Sequence, residues 1–67
     1  MTLDELTKLL LTARLRHFRD ADYNGYFEDE LLDAGVRPKL LKQARKNRDI
    51  FTIMKTKNGE DMRFYYI

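Results

Sequence analysis

Residues 31 to 48 read LLDAGVRPKLLKQARKNR, and the glycine and proline inside that run constrain the fold more than anything else in the chain. Glycine accepts the left-handed backbone that commonly closes a helix, and proline at a first helical position gives up no hydrogen bond that the helix needs. The spacing therefore predicts two short helices that meet at Ala34-Gly35-Val36, the second running from Pro38 to about Asn47. On that second helix Leu40, Leu41 and Ala44 fall on one side. Lys39, Lys42, Gln43 and Lys46, at i, i+3, i+4 and i+7, fall on the other. A helix held down on one side and rich in lysine on the other suits a phosphate-lined groove.

The charge pattern sharpens this point. The net charge is only +2, but residues 23 to 33 hold four acids and no base, whereas residues 34 to 48 hold six bases and no acid. Such segregation produces one strongly positive edge. With 67 residues the chain is expected to form a single domain, 1–67, near the lower size at which a core can form unaided. It has no cysteine, so no disulfide or thiolate metal site contributes, and its core has to come from Leu, Ile, Met and eight aromatic residues. No long apolar run and no leader-like N-terminus is visible, so we expect a soluble chain, cytoplasmic or nucleoid-associated, with no membrane contact.

Taken in order, Thr2-Leu3-Asp4-Glu5 reads as a capping box that starts helix one at once. That helix is expected to run to His17 or Phe18, with Leu3, Leu6, Leu9, Leu10, Ala13 and His17 on its core face. Leu11, Leu15 and Phe18 form a second stripe on roughly the opposite side. We expect the C-terminal hairpin or another element to cover it; the alternative is a partner or dimer face. Residues 19 to 25 are polar and turn-forming. Tyr26-Phe27 fits a very short strand or the first turn of helix two. Glu28, Asp29 and Glu30 then sit where the helix dipole favours negative charge. After the basic helix, Ile50 to Lys55 is rich in β-branched and aromatic residues, Asn58-Gly59 is a strong hairpin signal, and Met62 to Ile67 is the return strand.

The Leu31–Arg48 stretch resembles the helix-turn-helix of DNA-binding proteins, on Ala34, Gly35 and Val36 in the turn and Leu41 and Ala44 on the buried side of the following helix. Glu30 and Leu31 depart from the usual pattern in the first helix of the pair. Helix, helix, turn, helix and hairpin is, moreover, the order of a winged helix, so the likeness extends over nearly the whole chain. It implies an α+β, mainly α, domain: a three-helix core followed by a β-hairpin wing. It further implies double-stranded DNA as the partner. Lys39, Lys42, Gln43 and Lys46 would face bases in the major groove, Gln43 suited to adenine and the lysines to guanine. Arg37, Arg45, Arg48, Lys55 and Lys57 would hold phosphates. Small free-standing proteins of this kind resemble transcriptional regulators of phages and mobile elements.

Catalysis is not expected. The chain has neither Ser nor Cys as a nucleophile, His17 is a lone histidine on an apolar stripe, and the glycines lie at isolated turn positions rather than in a phosphate loop. No cofactor or metal is implied. The competing function is a protein–protein module, a homodimer or a larger complex, built on helix one and the acidic side of helix two. It differs from DNA binding in that its affinity would not fall steeply with salt.

Overall fold

The computed structural model of the chain describes residues 1–16 and 24–67. Its elements follow in the order α1 (Leu3–Arg16), β1 (Gly25–Phe27), α2 (Glu28–Asp33), α3 (Pro38–Lys46), β2 (Phe51–Lys57) and β3 (Glu60–Tyr66). The described residues thus form an α+β domain of three helices and one three-stranded antiparallel sheet in the order β1-β3-β2.

The capping box at the start of α1 is formed: the Thr2 N–H donates to Glu5 Oε1 at 3.1 Å and the Glu5 N–H to Thr2 Oγ1 at 3.3 Å. The Thr2 amide also holds the Glu5 carboxyl below the usual carboxylate range. Described helix ends at Arg16; His17 and Phe18, the expected last residues of the helix, lie outside the described residues, as does most of the expected polar loop.

At the other junction the local chemistry behaves as its residue types require. Gly35 takes φ +96°, the Gly35 N–H donates to the Leu32 carbonyl at 3.1 Å, and the Val36 N–H to the Leu31 carbonyl at 2.9 Å. This is the two-bond closure of a helix through a left-handed residue, with Leu31 and Val36 both buried beside it. Arg37 is extended, and Pro38 opens α3 one residue later. The hairpin turns on Asn58 (φ 53°) and Gly59 (φ 82°), a pair of positive-φ residues that matches the twist of the flanking strands.

Between the two readings left open for Tyr26-Phe27, the strand is the one formed. Gly25, Tyr26 and Phe27 pair with Tyr66, Tyr65 and Phe64 of β3. Gly25 therefore sits in a strand and not at a turn. A side chain there would run into the Tyr65 carbonyl oxygen, so the close approach of the two strands requires glycine.

One core joins the elements: Leu6 and Leu10 of α1, Leu31 of α2, Val36, then Leu40, Leu41 and Ala44 of α3, with Ile50 and Tyr65. Tyr65 enters it from the sheet face that meets the helices. Phe64, on the opposite face, is buried by Phe27, whose ring meets it edge-on at 5.1 Å and 72°. The second stripe of α1 departs from expectation. Leu11 is 42% and Leu15 69% exposed, so the hairpin does not cover them. The sheet and α3 meet α1 on its Leu6–Leu10–Ala13 side, which leaves the far side of the helix uncovered among the described residues.

Candidate nucleic-acid interface

The outer face of α3 is built by its inner face. Leu40, Leu41 and Ala44 are buried, which fixes the rotation of the helix and turns Lys39, Lys42, Gln43 and Lys46 out to solvent; all four are exposed. Arg37 and Arg48 are exposed at its two ends. Among the described residues none of these six makes an ion pair or a side-chain hydrogen bond. No acid stands on α3 to offset them. A helix with like charges and no i, i+4 partner is left with mutual repulsion that an external anion would relieve.

The remaining three expected phosphate ligands are placed differently. Arg45 Nη1 lies 3.0 Å from Tyr65 Oη and 3.4 Å from Glu28 Oε1, while the Tyr65 hydroxyl donates to the same Glu28 oxygen at 2.9 Å. The three side chains tie α3 to the start of α2 and to the sheet. Burial pushes the Tyr65 phenol up from its ordinary range, Arg45 works against that shift, and Glu28 adds to it. Lys57 Nζ stands 3.0 Å from both carboxylate oxygens of Asp29 and 5.1 Å from the Phe27 ring centroid. Lys55 Nζ lies 4.0 Å over the Phe64 ring. The α3 face therefore gathers Lys39, Lys42, Gln43, Lys46, Arg37 and Arg48, whereas Arg45, Lys55 and Lys57 are engaged in internal contacts.

The acidic run of α2 is likewise used within the fold. Glu28 and Asp29 hold Arg45 and Lys57, and Glu30 Oε1 accepts the Phe27 N–H at 2.9 Å, closing the exposed start of the helix. One cation escaped the sequence reading. Arg63 pairs across the hairpin with Met54, so it shares the sheet face of Tyr65, the face that meets the helices. Lys55 and Lys57 occupy the other face. Counting by twos from the buried Tyr65 would have separated them.

Among the described residues no group of three His, Asp or Glu side chains could hold a metal, and no helix is long and apolar enough to cross a membrane. Comparison of the chain with protein-family models, with curated proteins and with solved structures finds no match.

Proposed function

We propose that this protein binds double-stranded DNA as a winged helix-turn-helix, with α3 in the major groove and the β2–β3 hairpin beside it. The observation that carries the reading is the outer face of α3: three lysines and a glutamine, all exposed, without an acid on the helix or an ion pair among the described residues. The glycine-closed turn and the sheet order β1-β3-β2, in which the hairpin flanks the helices, support the same geometry.

In this reading Lys39, Lys42, Gln43 and Lys46 face base edges. Arg37 and Arg48 hold phosphates on either side. Arg45 contributes by orienting α3 through Glu28 and Tyr65. Size and architecture fit a small transcriptional regulator, or the DNA-binding module of a phage or mobile-element protein, acting in the cytoplasm or on the nucleoid.

A second reading, a protein-docking module, is favoured by one observation, the exposed Leu11 and Leu15 on α1. An electrophoretic shift series on random duplexes separates the two. With the two phosphate contacts of Arg37 and Arg48, affinity falls roughly tenfold between about 50 and 200 mM salt. Binding that ignores salt, or no binding to duplex at all, overturns the DNA reading.

A further inference from the structure

Three of the large apolar side chains left in solvent belong to one strand. Phe51 is 54%, Ile53 43% and Met54 58% exposed, and all lie on β2. By the sheet order β2 is an edge strand: β3 takes one side of it, and among the described residues nothing pairs with the other. That outer side presents a row of N–H and C=O groups with apolar side chains on both faces of the strand. A flat apolar surface would fill only half of that demand. An extended strand fills both, because its backbone satisfies the row while its alternate side chains cover Phe51 and Ile53.

The chemistry of the occupant follows from charge. Residues 51 to 57, FTIMKTK, include Lys55 and Lys57 and no acid. A second copy of β2, antiparallel about Met54, would set Ile53 against Lys55 and Phe51 against Lys57, apolar opposite charged at every position on that face. Strand β3 shows what suits β2: Glu60 stands across from Lys57, Met62 from Lys55, Phe64 from Ile53 and Tyr66 from Phe51. Lys57 already binds Asp29, yet an ammonium carries three donors and its charge remains open to a second carboxylate. We propose that the outer edge of β2 docks an extended segment of a partner protein, antiparallel, with a carboxylate across from Lys57 and apolar side chains across from Lys55, Ile53 and Phe51. This surface is separate from the α3 face, so it stands or falls independently of DNA binding.

The test is chemical-shift mapping on the parent protein with a synthetic peptide of the sequence Glu-Thr-Met-Thr-Val-Thr-Tyr. The expected result is that amides of residues 51 to 57 move while those of Lys39 to Lys46 stay in place. A peptide with lysine at the glutamate position, and a Phe51→Lys/Ile53→Lys variant that keeps the parent's circular dichroism, should each weaken binding about tenfold or more. No shift on β2, shifts concentrated on α3, or equal affinity for the two peptides would overturn the proposal. So would self-association of the parent that the double variant abolishes, since the edge would then belong to a second copy.

Discussion

Helix α3 and the β2–β3 hairpin look alike as text: each is short, basic and expected to touch a phosphate backbone. In the folded chain they differ. The cations on the outer face of α3 have no internal partner among the described residues, whereas Lys57 sits on Asp29 and Lys55 over the Phe64 ring. The difference arises from what lies behind each element. Helix α3 buries only Leu40, Leu41 and Ala44, so its charges other than Arg45 stay outside. Lys57 lies at the end of β2 within reach of the acidic first turn of α2, and Lys55 lies across the sheet face from Phe64. A basic residue is available to a ligand only when the fold has no use for it, and composition does not record that use.

Reversing charge on the free side should produce the largest effect. Lys42→Glu with Lys46→Glu is expected to lower duplex affinity by at least about a hundredfold while circular dichroism and melting stay near the parent's. Undiminished binding by this double variant would mean that α3 is not the recognition element.

Gly35 tests the junction that presents α3. Nothing lies within 4 Å of where a side chain would grow, so the cost of Gly35→Val comes from the backbone at φ +96° alone. Roughly 1–2 kcal/mol or more of lost stability is expected, read by denaturant melting. An unchanged midpoint would show that this turn does not depend on its left-handed residue.

Tyr65→Phe probes the tie between the two regions, because it removes the hydroxyl shared by Glu28 and Arg45. A loss of about 1–2 kcal/mol near neutral pH is expected. The folded-state pKa of Tyr65 is raised, chiefly by burial. The neutral phenol therefore stabilises the fold below the unfolded value of about 10, and this contribution is lost as pH rises through the folded value. The gap in Tm between parent and variant should narrow in that alkaline range. A constant gap would place the phenol's contribution elsewhere.

How far these features could be read in advance depends on their range along the chain. The capping box at Thr2 and Glu5, the Gly35 closure, the Pro38 start and the Asn58-Gly59 turn all arise within a few residues, and each was legible. Tyr26-Phe27 was not, because two residues fit either a strand or a helix start until β3 arrives to pair with them. Periodicity placed Leu11 and Leu15 on one stripe but could not say whether anything would cover it. The Arg45–Glu28 and Lys57–Asp29 pairs span 17 and 28 residues, beyond any spacing rule for helices. Their omission made all nine cationic and amide positions look equally free.

Single alanine substitutions give the smallest and most discriminating effects. Each phosphate contact contributes about 0.9 to the slope of log affinity against log salt, so a contact is counted by the slope lost with it. Arg37→Ala should flatten the slope by about that amount if Arg37, which stands at the start of α3 and has no ion pair among the described residues, holds a phosphate when DNA is bound. Lys57→Ala should leave the slope unchanged, because that ammonium is held 3.0 Å from Asp29. Its cost should appear in stability instead. The pair is partly exposed, with 27% of the lysine and 44% of the aspartate side chain in solvent, so about 0.5 kcal/mol is the expected size. Asp29→Asn completes the comparison, since it releases Lys57 without moving it along the chain. If internal pairing is what separates the two regions, Asp29→Asn steepens the slope or leaves it alone, but never flattens it. A Lys57→Ala slope that flattens as far as that of Arg37→Ala would show the hairpin lysine on phosphate despite its partner, and the contrast between the two regions would fail.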